Sequence, residues 1–368
     1  MYGFMHRSMR HEMATRRTDC DRRHFLGNAA VAIAAAHLGV SWSAAASDRG
    51  SRELTAIGGA ADWLNSPRLT PATLAGKIVL VDFWTYTCIN WMRTLPYIRA
   101  WSQKYRQRLV VVGVHTPEFP FERNVDNVRR SLKLLNVEHP VAIDNDYAIW
   151  RAFDNQYWPA LYLLDSRGRV RHRQFGEGGY ESSERAIQHL LEEGGDSGAA
   201  DHLVSIDGSG FERAADWANV KSPETYVGYA RAQNFASREA ARFDAPRDYH
   251  APSRLALNQW SLAGNWTIGK QANVLNSAPG QIDFRFHARD VHLVMGPSRP
   301  AASVRVRVSI DGRPPGADHG LDVDEGGNGT LSEQRLYQLV RQARPIVDRS
   351  FAIEFLDAGV EAFVFTFG

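Results

Sequence analysis

The feature that most constrains this chain is an apolar strand that leads directly to a cysteine. Residues 78–84 form an apolar run interrupted only by Asp82, which is typical of a strand covered on both faces. Cys88 follows four residues after the run, and residues 88–105 have helical character with Pro96 inside them, where we expect a kink. The sequence therefore predicts a buried strand, a short loop and a helix that begins at a thiol.

The elements that follow alternate between strand and helix. The patterns predict strands at 109–115, 141–144, 160–165 and 170–175 and helices at 124–135 and 182–193. This order implies an α/β sheet that ends in a hairpin. From about residue 254 apolar and polar residues alternate between Gly/Pro turns, which predicts an all-β sandwich of antiparallel strands.

The 368 residues accommodate two domains besides an N-terminal leader. We divide the chain into an export signal (1–46), a lead-in (47–70), an α/β domain (71–195), a linker and connecting segment (196–250) and a β-sandwich (251–368). The net charge of +2 and the lack of a basic tail exclude a general nucleic-acid binder. No apolar run reaches the ~18 residues of a membrane span.

The N-terminus has the pattern of an export signal. Arg22 and Arg23 precede a Phe-Leu step and an alanine-rich apolar stretch, and small residues up to Ala46 suit a signal peptidase. The pattern resembles a twin-arginine signal and predicts a mature protein in the periplasm or outside the cell; a buried helix with a chance Arg pair is the alternative. Cleavage removes Cys20, so that Cys88 remains as the single thiol and no internal disulfide can form.

A cysteine at the start of a helix has a defined chemistry. The free backbone N–H groups and the helix dipole stabilise a negative sulfur, and the thiolate is the reactive form. We therefore expect the pKa of Cys88 to lie below the ordinary thiol value of about 8.5.

The run ending in Phe83-Trp84, followed by Cys88 and Pro96, resembles the active-site region of thioredoxins of the TlpA/redoxin type. Trp158-Pro159-Ala160 resembles the cis-proline loop of that fold. The resemblance implies that Cys88 is the nucleophile and that Pro159 faces its sulfur. It also implies a substrate platform made of Trp158, Trp91, Trp84 and Thr85.

Residues 83–90 (FWTYTCIN) and 113–118 (GVHTPE) narrow the resemblance to the periplasmic C-terminal region of DipZ-type proteins. Residues 222–229 and 359–363 resemble the second domain of the same family, which is similar to jelly-roll, carbohydrate-binding modules. The resemblance therefore implies a thioredoxin-like domain followed by a β-sandwich that has a glycan among its candidate partners.

One departure from the family bears directly on the chemistry. Where the family has Cys-x-x-Cys, this chain has Cys88-Ile-Asn-Trp91, so the resolving cysteine is replaced by Trp91. A mixed disulfide on Cys88 would then persist until an external thiol attacks it. Asp82 matches the family's buried acid that assists the missing cysteine, and His115 and Glu118 are candidate neighbours of the site.

Several functions remain open at this point. We favour a single-cysteine thiol–disulfide oxidoreductase that acts on periplasmic proteins or small thiols carrying disulfides and uses an external thiol reductant. The alternatives are a redox-silent binding scaffold, a peroxide-reducing thiol suggested by Thr85-x-x-Cys88, and an inert buried cysteine. We expect no cofactor and no metal, because the histidines lack metal-binding spacing around Cys88.

Four aromatic residues of the second half could stack on a sugar. They are Tyr226, Tyr229, Trp260 and Trp266. Filling the sandwich core or the domain interface is the interpretation that we prefer for them.

Overall fold

The computed structural model describes residues 52–195 and 202–368. The predicted export signal (1–46) and the segment 196–201 lie outside the described residues. Among the helices in the described ranges, none has the length and apolar character that crossing a membrane requires.

The first domain is built on a six-stranded sheet with strand order β1-β4-β3-β2-β5-β6. The strands are β1 (Asp62–Leu64), β2 (Ile78–Trp84), β3 (Leu109–His115), β4 (Val141–Ile143), β5 (Ala160–Leu164) and β6 (Val170–Phe175). Strands β2, β3 and β4 are parallel, and β1, β5 and β6 run antiparallel to their neighbours. The apolar run predicted as a doubly covered strand is β2, which is buried along its whole length.

Helices cover both faces of this sheet. They are α1 (52–58), α2 (Pro71–Leu74), α3 (Ile89–Lys104), α4 (Val125–Leu134), α5 (Ala148–Ala152) and α6 (Tyr180–Glu193). Side chains of β2 alternate between the faces: Leu80 packs with α3 and α6, whereas Val81 and Phe83 pack with α1 and α5. Helix α3 continues through Pro96 to Lys104. This arrangement is the thioredoxin-like fold that the sequence predicts.

The second domain is all-β. Its strands are β7 (Thr225–Tyr226), β8 (Arg247–Tyr249), β9 (Trp260–Ile268), β10 (Asn273–Phe286), β11 (Asp290–Pro297), β12 (Val304–Ile310), β13 (Asn328–Leu331), β14 (Arg335–Arg341), β15 (Arg349–Phe355) and β16 (Val360–Phe367). The main strand order is β13-β12-β15-β10-β16-β11-β14.

Strand β10 lets this sheet curl over its own core. Its first residues, 273–274, pair with β16, whereas residues 280–286 pair with β15. A register irregularity separates the two parts. The two halves of the sheet therefore diverge from one strand and enclose a common apolar core, as expected for a sandwich.

Part of the segment that we assigned to a connecting region joins this sheet. Strand β7 pairs with β16, and β8 pairs with β9. The aromatic residues Trp260 and Trp266 are fully buried in the sandwich core. These two indoles are therefore core residues and are not available to stack on a sugar.

The two domains share an apolar interface. Phe363 of β16 packs on Phe119 and Phe121 of the first domain, with ring centroids 5.0 and 4.9 Å apart. Val294 and Leu336 of the β-domain join the same cluster, which also contains the first turn of α3. The β-domain thus packs directly against the end of the thioredoxin-like domain that carries Cys88.

Candidate functional site

Cys88 occupies the N-cap of α3. Its backbone is extended, and the helix begins at the next residue, Ile89. The Cys88 N–H donates to the Thr85 carbonyl (3.2 Å), while the Cys88 carbonyl accepts from Met92 N–H (3.0 Å). The thiol is half-buried and packs beside the interface cluster. The strand–loop–helix pattern therefore leads to a thiol at a helix start.

The electrostatics of Cys88 differ from our expectation. Burial raises the pKa of the Cys88 thiol, and the carboxylates of Glu224 and Glu118 raise it further. The backbone N–H groups of Trp91 and Asn90 lower the pKa, but burial outweighs them. The expectation of a depressed pKa was wrong because it considered the helix terminus alone and not the domain that covers it.

Trp91 fills the position of the absent second cysteine. Its indole is fully buried and stacks on Trp84, with centroids 4.2 Å apart and planes 19° apart. The Trp91 Nε1–H donates to Asp82 Oδ2 at 2.8 Å. Trp91 and Trp84 are thus buried packing residues rather than an open substrate platform.

Asp82 is a carboxylic acid enclosed by the fold. Burial raises its pKa to about 7, and the hydrogen bond from Trp91 opposes that shift. The other oxygen, Oδ1, is buried without a hydrogen-bond partner in the part of the chain that the structure describes. Asp82 therefore changes protonation near neutrality, and its Oδ2 accepts the hydrogen bond of the Trp91 indole.

His115, at the end of β3, is fully buried. The Trp84 ring lies edge-on to its ring at 4.9 Å, and the Tyr86 ring stacks on it at 5.8 Å. Burial lowers the pKa of His115 to about 3, which keeps the imidazole neutral. Its role in the structure is therefore packing beneath the loop that carries Cys88.

A buried acid that the sequence analysis missed, Glu122, fixes this loop. Its Oε1 accepts the Thr87 hydroxyl at 2.5 Å, and its Oε2 accepts the N–H groups of Glu118 and Phe119. Burial raises the pKa of Glu122 to about 7. Pro120 followed two residues later by Glu122 is a helix-start pattern that could have indicated this role. Thr85, which the resemblance placed in the substrate platform, lies in the same loop and is also buried.

The cis-proline loop lies at the same edge of the sheet. The Trp158–Pro159 peptide bond is cis. The Trp158 indole is half-buried and donates from Nε1 to the Thr116 carbonyl (3.0 Å), while Thr116 N–H donates to the Trp84 carbonyl (3.1 Å). Pro159 is buried. Two hydrogen bonds therefore connect the Trp158 loop with the strand end that leads to Cys88.

Glu118 joins the two domains. Its Oε1 accepts hydrogen bonds from the Tyr226 hydroxyl (2.7 Å) and from Arg231 (2.8 Å), both of the β-domain. The Arg231 guanidinium lies 3.4 Å from the centre of the Tyr226 ring. Glu224, at an exposed position, approaches the same hydroxyl at 3.0 Å. These β-domain residues were not identified as site residues because only the tertiary structure brings them to Glu118.

No cluster of His, Cys, Asp and Glu within residues 52–195 and 202–368 has the arrangement of a metal site. The arrangement around Cys88 can perform thiol chemistry with the groups described above. The fold and this site define a thioredoxin-fold protein that has one cysteine at the reactive position and an all-β domain packed beside it.

Comparisons with known proteins identify relatives of both domains. The family described as Thioredoxin-like matches residues 76–170, and the family described as Thioredoxin like C-terminal domain matches residues 222–368. Protein DipZ of Mycobacterium tuberculosis is 36% identical over 278 residues, which cover 72% of this chain and 38% of DipZ. The chain is therefore similar to DipZ over 72% of its length, and its first domain has a thioredoxin-like fold.

Smaller proteins match the first domain. The thiol-disulfide oxidoreductase YkuV of Bacillus subtilis is 29% identical over 131 residues, covering 36% of this chain and 88% of YkuV. The solution structure of a thioredoxin-like protein in the oxidized form covers 36% of this chain and 90% of that protein, at 30% identity and a TM-score of 0.34. The chain spans less than half the length of the DipZ relatives.

Proposed function

We propose that this protein is a thiol–disulfide oxidoreductase that acts through Cys88 alone. The observation that carries the proposal is the half-buried Cys88 at the N-cap of α3, at the sheet edge that also holds the cis Trp158–Pro159 loop. The similarity of the first domain to a protein named as a thiol-disulfide oxidoreductase supports the same chemistry.

The reaction has three exchange steps. The Cys88 thiol loses its proton, and its sulfur attacks one sulfur of a substrate disulfide. A Cys88–substrate disulfide forms, the substrate S–S bond breaks, and the other substrate sulfur leaves as a thiolate that takes up a proton. An external thiolate then attacks the substrate sulfur of the mixed disulfide: the Cys88–substrate S–S bond breaks, Cys88 leaves as a thiolate that takes up a proton, and a disulfide forms between the external thiol and the substrate. A second external thiolate attacks the external-thiol sulfur of that disulfide and releases the substrate as a thiol. The two electrons that reduce the substrate come from the two external thiols, which end joined as a disulfide.

The residues around Cys88 have separate roles in this scheme. Pro159 and Trp158 orient the substrate, as the resemblance to thioredoxins implies. Trp91 occupies the place from which a second sulfur would attack, and its bond to Asp82 holds it there. The mixed disulfide therefore persists until the external thiol arrives.

The raised pKa sets the pH dependence. At neutral pH most Cys88 is protonated, so attack is slow. The thiolate that does form is a strong nucleophile, because nucleophilicity increases with the pKa of the thiol. Exchange should therefore accelerate as the pH rises beyond the ordinary thiol range.

The test uses two cysteine variants of the full chain. Cys20→Ser leaves only Cys88, and Cys20→Ser/Cys88→Ser leaves no thiol. We expect the first variant to catalyse reduction of hydroxyethyl disulfide by an external thiol, and to show a one-to-one mixed disulfide by intact-protein mass spectrometry. Turnover no faster than that of the thiol-free variant would contradict the proposal.

A second candidate function is a redox-silent binding module. The raised pKa of Cys88 and the β-domain packed against it favour this alternative. It predicts no turnover in the assay above, and a Cys88→Ser protein that retains full function in cells. A glycan ligand of the β-domain stays a prediction, and its candidate residues Trp260 and Trp266 are buried in the core.

We propose that the protein acts in the periplasm or outside the cell, after twin-arginine export and cleavage near Ala46. The support is the order of Arg22-Arg23, apolar stretch and small residues in the sequence. Replacing Arg22 and Arg23 by lysine should retain the protein in the cytoplasm, as measured by cell fractionation. Export of the lysine variant at the original level would exclude this route.

A further inference from the structure

We propose that a pocket between the domains binds the carboxylate of a small thiol or disulfide, and that this small thiol is the external reductant that releases Cys88. The inference rests on the function proposed above and names the class of the second reactant. Two observations support it: residues of the β-domain form a pocket with Trp158, and charged side chains line that pocket.

The pocket has a volume of about 280 Å³ and takes walls from both domains. Trp158 and Glu118 line it from the thioredoxin-like domain, and Tyr226, Arg231 and Lys270 line it from the β-domain. Trp158 is the residue that precedes the cis-proline and is tied through Thr116 to the end of β2. The pocket therefore adjoins the loop that orients substrates in this fold.

The size of the pocket favours a small reactant. Ligand pockets for small molecules span roughly 300–1,000 Å³, so a volume of about 280 Å³ lies just below that range and favours a small ligand over a large one. Tyr226, Arg231 and Lys270 of the β-domain line the pocket together with Trp158, which restricts the space beside Trp158. Tyr226 is held there by its hydrogen bond to Glu118 and by Arg231 stacked on its ring.

The charges in the pocket favour an anion. Glu118 is neutralised by Arg231 at 2.8 Å and accepts the Tyr226 hydroxyl. Lys270 is exposed and makes no ion pair with any residue that the structure describes. Glu224 approaches the Tyr226 hydroxyl at the edge of the pocket and faces Arg231 together with Glu118. Lys270 is therefore the cation of the lining that has no ion pair among the described residues, and a carboxylate is the group that would pair with it.

The first experiment measures binding without chemistry. S-Methylglutathione carries two carboxylates, and its sulfur cannot exchange. Isothermal titration of the full chain should show saturable binding that weakens with added salt and is lost for the diethyl ester. Lys270→Gln should weaken binding about two- to fivefold, the effect of one partly screened charge. Lys221→Gln, an exposed lysine of the same domain outside the pocket, should leave it unchanged.

The second experiment measures exchange. In the Cys20→Ser chain carrying a Cys88 mixed disulfide, the rate of release by glutathione should saturate with concentration and fall in Lys270→Gln. Release by 2-mercaptoethanol should be equal in both proteins.

The outcomes separate the two proposals. Absence of S-methylglutathione binding, or equal binding by Lys270→Gln, overturns the pocket inference even if Cys88 exchanges normally. Binding with the expected Lys270 dependence, together with a Cys88 that forms no mixed disulfide, supports the pocket and contradicts the proposed function. A loss with 2-mercaptoethanol as large as with glutathione would show a structural effect and also overturn the inference.

Discussion

At the scale of single residues, the reactivity of Cys88 is decided by its surroundings and not by its position alone. A helix N-terminus lowers a thiol pKa when water and free N–H groups surround the sulfur. Here burial raises the pKa, and two carboxylates, one of each domain, add to the effect. A change in the charge of either carboxylate should therefore change the pKa of the Cys88 thiol.

Neutralising Glu224 should make Cys88 more reactive. In the Cys20→Ser background, Glu224→Gln removes a negative charge that opposes the thiolate. Desolvation and the nearby Glu118 carboxylate raise the pKa of Glu224 to about 7, so its carboxyl is ionised above that pH. Above pH 7 we expect alkylation by iodoacetamide to become about two- to fivefold faster; the effect is modest because solvent at this exposed position screens the charge. Glu325→Gln, at another exposed position of the β-domain, is the matched control. An unchanged rate would show that Glu224 does not influence the sulfur.

The raised pKa of the buried Asp82 should make the free energy of unfolding depend on pH. Its pKa of about 7 in the folded protein exceeds the ordinary value of 3.8, so the folded state binds the extra proton between these values. Stability from this group is present at low pH and is lost as the pH rises through about 7. The buried His115, whose pKa is lowered to about 3, acts in the opposite direction below its ordinary value of 6.5.

Asp82→Asn isolates this effect. Relative to the parent, its free energy of unfolding should rise between about pH 4 and pH 7, by up to about 4 kcal/mol. Urea unfolding at several pH values measures the difference, and Asp146→Asn at an exposed position is the control. A difference that does not vary with pH would mean that Asp82 titrates normally.

At the scale of elements, the first turn of α3 contains Trp91 at the position where a second cysteine would stand, three residues after the N-cap Cys88. Cys88 and Trp91 are three residues apart and therefore lie on the same side of the helix. The indole packs between Trp84 and Asp82, so the loss of the second sulfur is compensated by buried aromatic packing and a hydrogen bond. Restoring the sulfur therefore reduces the stability of the fold.

Trp91→Cys should restore a dithiol and destabilise the fold. We expect a disulfide between Cys88 and the introduced sulfur and catalysed reduction of insulin, together with a loss of about 3–5 kcal/mol from removing a buried indole. Turbidity of insulin and urea unfolding measure the two effects. Trp91→Phe retains an aromatic ring without the second sulfur and should gain no activity. A stable, dithiol-containing but inactive Trp91→Cys protein would show that the site no longer supports dithiol exchange.

At the scale of the whole molecule, the β-domain is part of the thiol site. Phe363 packs on Phe119 and Phe121, and the cluster that they form extends to Cys88. Burial of Cys88 therefore depends on the contact between domains, so a weaker contact should expose the sulfur.

Phe363→Ala should accelerate alkylation of Cys88 under native conditions in the Cys20→Ser background. The change leaves a cavity at the interface and costs about 3–5 kcal/mol of stability. Phe351→Ala, a buried phenylalanine in the core of the β-domain away from the interface, is the matched control. Equal acceleration of Cys88 alkylation by both variants would indicate general destabilisation of the β-domain rather than exposure of Cys88 at the domain interface.

The sequence by itself determined the local elements and their order. The apolar run at 78–84, the loop to Cys88 and the helix after it follow from hydrophobic patterning, and the alternation beyond residue 254 predicts the sandwich. The missing cysteine is also a fact of the sequence. Such features are readable because they depend on residues that are close along the chain.

Only the tertiary structure decided the environment of the thiol. Glu224, Tyr226 and Arg231 lie more than a hundred residues from Cys88 along the chain, and no local pattern indicates that they meet Glu118. Burial of the sulfur and the pocket beside Trp158 likewise arise where two domains pack together. A pKa depends on the dielectric and the charges in space around a group, and these are set by the fold rather than by neighbours in sequence.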